Sequence, residues 1–264
     1  MDIHYTLMHP AKSATLLVDT PVPRPSQAAV ARLLLQSQRA AEQVGFVEPS
    51  ACARRRLQMM GGALCGNAAA SLAALLCLRD GLSAGQTAEL ALETSGTEGV
   101  LRCRVDLEDG RCRCAVALPR PDRIGQVSVA GVARPAVFFP GAVYCVVPAG
   151  ALDRADAESA VGPLCRHLGA AVCGLLFFDE DALSFTPLLY AAATDTRRWA
   201  RSCASGSAAL GAWLAHRSGA SRAVSLRQPG GVIHVSATWR GRVSSLVMAE
   251  TVGFGPSGSL ILPL

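Results

Sequence analysis

Polar and apolar residues alternate along two short segments in the first half of the chain, and this alternation is typical of half-buried β-strands. The first segment runs from Leu101 to Leu107, the second from Arg111 to Val116, and Asp109-Gly110 stands between them. An Asp-Gly pair between two alternating segments is a strong signal for a tight hairpin. The pattern predicts a β-hairpin whose three cysteines, at positions 103, 112 and 114, face the core.

Two runs rich in alanine and leucine predict helices of three to four turns. One run follows Cys65 and stops at Gly81, and the other follows Cys203 and stops at Gly219. Strand-like segments come next in both places, at residues 88–92 and 100–107 after the first run and at 223–226 and 232–237 after the second. The chain therefore predicts the same succession twice: a cysteine, a helix and then strands.

The two cysteine segments also align without a gap. When Cys65 is placed on Cys203, the matches extend well beyond the alanines that both segments contain in abundance. The matched pairs are Leu72 with Leu210, Leu76 with Leu214, Arg79 with Arg217, Gly81 with Gly219 and Ser83 with Ser221. An internal duplication is the economical explanation.

The composition indicates a folded protein with a substantial core, because half of the 264 residues are hydrophobic and only 17% are charged. The longest uncharged stretch, residues 135–152, contains three prolines and is interpreted as strands and turns, not as a membrane span. No basic region followed by an apolar run stands at the N-terminus, so no secretory signal is expected. These features predict a soluble cytoplasmic protein that does not associate with membranes.

The formal net charge of +5 does not indicate a nucleic-acid partner. All but one of the 25 basic residues are arginines, they are scattered along the chain, and aromatic residues make up only 5%. Nucleic-acid binders usually cluster basic residues or interleave them with aromatic ones. The single lysine, Lys12, lies near the N-terminus and provides no motif for pyridoxal phosphate.

Most of the ten cysteines are predicted to be buried thiols, and the five scattered histidines lack metal-ligand spacing, so no metal is expected. Four cysteines lie in apolar runs, at positions 77, 145, 165 and 173. Cys65 and Cys203 differ, because each precedes a helix whose N–H groups and dipole bind anions and lower the pKa of a thiol. The alternative is that small residues at these positions only allow close helix packing. The identical register of the two cysteines favours a functional role.

Two acid/base cysteines suit one reaction in particular. Inversion of an α-carbon needs a thiolate to remove a proton from one face and a thiol to return one to the other. If two duplicated halves bring both helix starts to a shared cleft, their N–H groups can bind the substrate carboxylate, into which the carbanion charge spreads. The residues therefore predict a racemase or epimerase that uses no cofactor.

Several blocks of the sequence resemble a known family. The Cys-Gly-Asn element at residues 65–67 and the later segment Cys203-Ala204-Ser205-Gly206 together resemble the diaminopimelate epimerase fold family. Two further blocks, Glu42-Gln43-Val44-Gly45-Phe46 and Gln228-Pro229-Gly230-Gly231, are similar to the histidine racemases of staphylopine-type metallophore biosynthesis. Other matching blocks lie at residues 64–68, 176–180, 187–190 and 202–203, so the resemblance spans about residues 5 to 240.

This resemblance implies an α+β fold of two pseudo-symmetric halves, each a curved, mostly antiparallel sheet around a central helix. The halves are expected at residues 1–120 and 121–264, with the last strand, Leu260 to Leu264, returning to the first half. The implied reaction is the interconversion of L- and D-histidine for opine-type metallophore synthesis, in a homodimer. Cys65 and Cys203 would be catalytic, Glu42 would contact the substrate, and N–H groups for its carboxylate would come from Gly66, Asn67, Ser205, Gly206 and Ser207.

The sequence also departs from the family pattern. Ala204 replaces the glycine that usually follows the second cysteine, and acids expected before each cysteine are Ala63 and Ala200. Tyr144 stands where a histidine is expected in the middle strand. Because the catalytic pair is intact while these residues are altered, the preferred amino acid is the open question. The alternatives are a diaminopimelate-like epimerase and a ligand-binding member of the fold that has lost turnover.

Overall fold

The computed structural model describes residues 1–262, which form two compact units. Unit 1 consists of Met1–Val116 together with the chain from Ala249 onward, and unit 2 consists of Ala117–Met248. Strands dominate the described chain, and four helices of 14 or 15 residues are inserted among them. The expected mixed α+β class is confirmed.

Unit 1 is built from a sheet in which two strand pairs are parallel and the others antiparallel. The parallel pairs are β2 with β3 and β4 with β5, and the helices α1 and α2 form the two crossovers. The elements are β1 (Asp2–Pro10), β2 (Thr15–Val18), α1 (Arg24–Ser37), β3 (Gln43–Glu48), β4 (Arg55–Met59), α2 (Gly66–Arg79), β5 (Thr87–Thr94), β6 (Val100–Glu108) and β7 (Arg111–Ala117).

Unit 2 likewise contains two helical crossovers, although three strands instead of two precede its first helix. Here the parallel pairs are β10 with β11 and β12 with β14, and the crossovers contain α3 and α4. The elements are β8 (Arg123–Val129), β9 (Val132–Phe139), β10 (Ala142–Pro148), α3 (Arg154–His167), β11 (Val172–Asp179), β12 (Ser184–Ala191), a short 3₁₀ turn (Ala192–Thr194), β13 (Thr196–Trp199), α4 (Ala204–Ser218), β14 (Arg222–Gln228) and β15 (Gly231–Trp239).

A long last strand, β16 (Val243–Ile261), begins in unit 2 and ends in unit 1. Its second part pairs antiparallel with β1, so that Leu260 lies opposite Ile3 and Ile261 opposite Asp2. The predicted return of the chain end to the first half is therefore confirmed for these two residues. Residues 263 and 264 of that predicted strand lie outside the described residues.

The two helices that follow the cysteines are buried on nearly every side. All residues of α2 from Gly66 to Cys77 are buried, and α4 is buried at ten of its 15 positions. Such burial requires small or purely apolar side chains all round the helix, which explains the alanine and leucine content. The predicted glycine stops are confirmed, since Gly81 and Gly219 have φ of 92° and 63° and follow the last helical turns.

The predicted hairpin is also confirmed. Glu108 pairs with Arg111, and the two residues between them, Asp109 and Gly110, have φ of 48° and 70°, as a tight two-residue turn requires. Its three cysteines are buried, and so are the four that were assigned to apolar runs. Within residues 1–262, every helix falls short of the length and hydropathy needed to cross a bilayer.

Candidate active site

Cys65 occupies the N-cap position of α2, directly before the first helical residue. Its backbone is extended, with φ of −127° and ψ of 106°, and its carbonyl accepts the first helical hydrogen bond from the N–H of Ala69 at 3.0 Å. The N–H groups of Gly66, Asn67 and Ala68 therefore precede the hydrogen-bonded part of the helix. The expectation that Cys65 stands at a helix start is confirmed.

The sulfur of Cys65 contacts a glutamine from β3. The Sγ thiol donates a hydrogen bond to Oε1 of Gln43 at 3.3 Å, and Nε2 of the same amide donates to Oγ1 of Thr15 at 2.8 Å. Gln43 and Thr15 are buried, whereas Cys65 is half-buried. Two neighbouring strands of unit 1 thus hold an amide against the thiol.

Cys203 occupies the same N-cap position in α4, and its sulfur caps the helix. Its φ of −146° and ψ of 105° again describe extended backbone, and the N–H of Gly206 donates to its Sγ at 3.2 Å. An N–H donor aimed at sulfur favours the thiolate over the neutral thiol. This arrangement is suited to a cysteine that must carry negative charge during a reaction.

Neither helix carries an acidic residue in its first turn. The positive ends of the α2 and α4 dipoles are therefore not neutralised by carboxylates of the same helix. At the other ends, basic residues stabilise the last turns: Arg79 in α2, and His216 and Arg217 in α4. Because both helices are buried, the field at their N-termini is poorly screened by water, which favours the binding of an anionic group.

Gly206 is required for steric reasons. A Cβ at this position would lie 2.9 Å from Cδ2 of Leu176 and 3.2 Å from Sγ of Cys203. The absence of a side chain therefore lets the helix start approach both β11 and the sulfur. Ala204 begins α4 with an ordinary helical backbone, so the glycine that the family usually has there is not needed for a positive φ.

The N–H groups predicted to bind a carboxylate are not equivalent. The N–H of Ser207 already donates to the carbonyl of Cys203 at 2.9 Å, and the Ser207 hydroxyl donates to the same oxygen at 2.9 Å. Ser207 therefore stabilises the start of α4 and is not an available donor. The N–H of Gly206 contacts the sulfur, while Gly66, Asn67 and Ser205 lie in the first turns, before the helical hydrogen bonds begin.

Glu42 lies directly before β3 and is half-buried. Its N–H donates to the carbonyl of Ala14 at 2.8 Å, which fixes the backbone beside Gln43. The carboxylate therefore belongs to the residue next to the one that contacts Cys65. Its contact with a substrate stays a prediction.

Besides Ala204, the three other positions that depart from the family pattern have structural roles of different kinds. The carbonyl of Ala63 accepts a hydrogen bond from the Ser95 hydroxyl at 3.4 Å, and Ala200 is buried with its N–H donating to Pro187 at 2.9 Å. Tyr144 is buried on β10, opposite Gly174 on β11, where a Cβ would lie 2.6 Å from the tyrosine ring. Gly174 therefore provides the space that a tyrosine needs in place of a smaller ring.

Burial makes three of the core cysteines, at positions 77, 103 and 165, unreactive. Desolvation raises the pKa of Cys77 and Cys165 to about 11 and that of Cys103 to about 12. These groups remain neutral thiols at physiological pH and cannot act as bases. Among the described residues, no three or more His, Cys, Asp or Glu side chains are arranged to hold a metal ion.

Two contacts of the cysteines were not predicted from the sequence. Gln43 contacts the sulfur of Cys65, and Gln228 accepts a hydrogen bond from the backbone N–H of Cys203 at 2.6 Å. Both glutamines lie in the blocks that point to the histidine racemases, at residues 42–46 and 228–231. Those blocks were the available signal, although nothing in them indicated which residue contacts a cysteine.

Comparison with known proteins shows which proteins this sequence resembles. The sequence model described as the histidine racemase CntK N-terminal domain matches residues 2–260. Histidine racemases from two strains of Fusobacterium nucleatum subsp. nucleatum, ATCC 23726 and ATCC 25586, are 27% and 28% identical to this chain over 223 residues. The alignments cover 80% of this chain and 81% and 80% of the two relatives.

Solved structures share the fold at low sequence identity. A probable proline racemase from Agrobacterium radiobacter K84 has a TM-score of 0.75 at 15% identity, covering 99% of this chain and 93% of that one. A hydroxyproline epimerase from Agrobacterium vitis has a TM-score of 0.73 at 13% identity, covering 98% and 92%. A PhzF-family protein from Bacillus anthracis has a TM-score of 0.71 at 13% identity, covering 99% and 100%.

These similarities have different weight. The structural neighbours establish the fold, whereas the sequence model covers nearly the whole chain and establishes the family. The supported class of enzyme is an isomerase of the racemase type, and the two cysteines at the N-cap positions of α2 and α4 are compatible with such an enzyme. The chain belongs to the histidine racemase family of amino-acid racemases.

Proposed function

We propose that this protein interconverts L- and D-histidine without a cofactor, with Cys65 and Cys203 as its acid/base pair. The observation that carries the proposal is the equivalent placement of the two cysteines. Each is the extended N-cap residue of a buried helix that has no acid in its first turn. Histidine is proposed because the family and both Fusobacterium relatives are histidine racemases.

The proposed reaction uses one sulfur as thiolate and the other as thiol. The thiolate takes the proton from Cα, and the electron pair of that C–H bond spreads into the carboxylate of the substrate. The thiol then gives its proton to the opposite face of Cα, which yields the other enantiomer. The two sulfurs have then exchanged protonation states, and proton exchange with water or turnover of the product enantiomer restores the first state.

The helix starts would supply the electrostatic part of the catalysis. N–H groups of Gly66, Asn67 and Ser205 are the proposed donors to the substrate carboxylate, where negative charge increases in the transition state. Gly206 and Ser207 are left out of this set, because the N–H of Gly206 donates to Sγ of Cys203 and that of Ser207 to the carbonyl of Cys203. Glu42 is proposed to contact the substrate, in keeping with its place beside Gln43.

We further propose that the two units are pseudo-symmetric products of a duplication, each with a curved sheet around a central helix, as in the diaminopimelate epimerases. Support comes from the aligned cysteine segments and from the two parallel strand pairs with helical crossovers that each unit contains. A homodimer, a cytoplasmic location and a supply of D-histidine to opine-type metallophore synthesis are proposed from the resemblance. Light scattering on the purified chain tests the oligomeric state.

Deuterium exchange tests the proposed activity directly. The protein is incubated with L-histidine in D₂O, and the amino acid is analysed by chiral chromatography and mass spectrometry. We expect D-histidine with one deuterium at Cα. Exchange with diaminopimelate but not with histidine would assign a different substrate, and no exchange with histidine, proline or diaminopimelate would leave a protein that binds ligands without turnover.

A further inference from the structure

We propose that Gln228 is a positioning residue that fixes the backbone of Cys203 and thereby the direction of its sulfur. The inference rests on the proposed role of Cys203 as an acid/base residue. It assigns a function to the glutamine of the Gln228-Pro229-Gly230-Gly231 block, which lies 25 residues beyond the cysteine in the chain. Gln228 would act through Cys203 and not by contact with the substrate.

Both ends of the Gln228 amide are engaged near the start of α4. Oε1 accepts a hydrogen bond from the N–H of Cys203 at 2.6 Å, and Nε2 donates to Oγ of Ser207 at 3.1 Å. Gln228, Cys203 and Ser207 are all buried, with Gln228 only 9% exposed. A buried amide with both ends satisfied is held in one orientation, because any other would leave polar groups without partners.

These contacts close a ring around the backbone of Cys203. The N–H of Cys203 donates to Gln228, Gln228 donates to the Ser207 hydroxyl, and that hydroxyl donates to the carbonyl of Cys203 at 2.9 Å. Since both polar backbone groups of Cys203 are fixed, its φ and ψ are fixed as well. In this backbone conformation the N–H of Gly206 lies 3.2 Å from Sγ of Cys203, and this contact favours the thiolate.

Gln228 lies at the end of a β-hairpin that holds its backbone in place. It is the last residue of β14 and pairs with Gly231 of β15, so that Pro229 and Gly230 form the hairpin turn. The N–H of Gly230 donates to the carbonyl of Arg201 at 2.7 Å. The turn is thus tied to the segment before α4 at two points, Arg201 and Cys203, and this explains why the block contains a tight turn next to the glutamine.

A buried glutamine could serve stability alone, and kinetics separate the two roles. Substitution of a residue with only a structural role lowers the melting temperature and the folded fraction but leaves kcat and KM of the folded molecules unchanged. Substitution of a positioning residue lowers kcat, because the base is displaced from the reacting Cα. It leaves KM nearly unchanged, because the groups that bind the carboxylate remain.

The test uses Gln228→Met, which keeps the length of the side chain but removes both hydrogen-bonding ends. We expect kcat for histidine racemisation, per folded molecule, to fall about 10- to 100-fold while KM stays within about threefold. Gln126→Met is the matched control, because Gln126 is exposed on β8 of the same unit, and it should leave kcat unchanged. An unchanged kcat in folded Gln228→Met would overturn the inference.

A second variant keeps the test decisive if Gln228→Met does not fold. Ser207→Ala removes the partner of Nε2 and opens the ring, and we expect kcat to fall about 3- to 10-fold with KM unchanged. Wild-type kcat in this variant would also overturn the inference. If wild type racemises histidine and both variants have the same kcat as wild type, only the role of Gln228 is contradicted. If wild type shows no exchange at Cα, the proposed function is contradicted as well.

Discussion

The side-chain oxygen Oε1 of Gln43 lies 3.3 Å from Sγ of Cys65 and accepts the hydrogen bond of its thiol. The other end of the amide donates to Thr15 at 2.8 Å, so Gln43 cannot turn away without breaking a second contact. The thiol is consequently held in one direction by a residue from a neighbouring strand. This relationship makes Gln43 the first residue of unit 1 to test after the cysteine itself.

Gln43→Met should lower kcat for histidine racemisation about tenfold, because a thiol without its acceptor samples several rotamers. Initial rates in both directions, measured by chiral chromatography, check this prediction. Gln36→Met is the control, since Gln36 is exposed on α1 of the same unit, and it should behave as wild type. Equal rates in the two variants would show that the Gln43 contact has no catalytic importance.

Cys65→Ser and Cys203→Ser should each abolish racemisation, with losses of at least about 1,000-fold. A hydroxyl has a much higher pKa than a thiol, so it is a far weaker acid and does not form the anion that must act as the base. Deuterium exchange at Cα and chiral analysis give the rates. Cys52→Ser, at an exposed cysteine, is the matched control and should retain wild-type activity. Near-normal turnover by either of the first two variants would rule out the two-cysteine scheme.

Glu42→Gln should reduce kcat/KM about 10- to 100-fold without changing the melting temperature, if its carboxylate contacts the substrate as proposed. Steady-state kinetics and thermal unfolding on the same preparation check both parts. Glu98→Gln provides the control, because Glu98 is exposed in the loop before β6. If Glu42→Gln and Glu98→Gln have the same kinetics, Glu42 is only a surface residue.

Gly206→Ala should impair both stability and turnover. The new Cβ would lie 2.9 Å from Leu176 and 3.2 Å from the sulfur of Cys203, so the helix start must shift, at a cost of about 1–3 kcal/mol. Urea unfolding and kcat measure the two effects. Gly61→Ala is a suitable control, since a Cβ there meets nothing within 4 Å and its φ is not positive. A fully active Gly206→Ala protein would contradict the described packing.

The buried carboxyl group of Glu250 should make the folded protein less stable as pH rises. It is buried on β16, neither carboxylate oxygen has a hydrogen-bond partner, and desolvation raises its pKa to about 8. The folded state holds this proton more tightly than the unfolded state. The contribution of the protonated Glu250 to the free energy of unfolding is therefore complete below about pH 4.5 and is lost as pH rises through 8. Between pH 5 and 8 the loss is on the order of 4 kcal/mol.

Urea unfolding of wild type and Glu250→Gln at pH 5, 6.5 and 8 checks this dependence. The amide cannot ionise, so the stability of wild type relative to the variant should fall steadily across the series. Glu108→Gln, at an exposed position on β6, should show no such trend against wild type. A constant difference between wild type and Glu250→Gln at the three pH values would contradict a raised pKa.

The local features of the fold could be predicted because they depend on neighbouring residues. The Asp109-Gly110 pair determines the hairpin turn around it. The runs of alanine and leucine after Cys65 and Cys203 determine helices that end at glycines. The position of each cysteine at a helix start follows from the same runs. The engaged N–H of Ser207 could have been foreseen too, because the fourth residue after an N-cap always makes the first helical bond.

The contacts between distant segments could not be predicted in this way. Gln43 lies 22 residues before Cys65, and Gln228 lies 25 residues after Cys203, so both contacts depend on strand register and on the path of the connecting chain. The fit of Tyr144 over Gly174 likewise depends on the parallel pairing of β10 with β11. One sequence contains the residue types for such contacts but not the three-dimensional distances.

The pairing of β1 with the end of β16 affects how the protein can be synthesised. All of unit 2 lies between Asp2 and its partner Ile261 in the chain, so Asp2 is synthesised long before Ile261. Unit 1 must therefore wait, with one side of β1 unpaired, until translation has passed through all of unit 2. A nascent chain in that state exposes a strand edge to other chains, and we expect chaperones to associate with it until the last strand arrives.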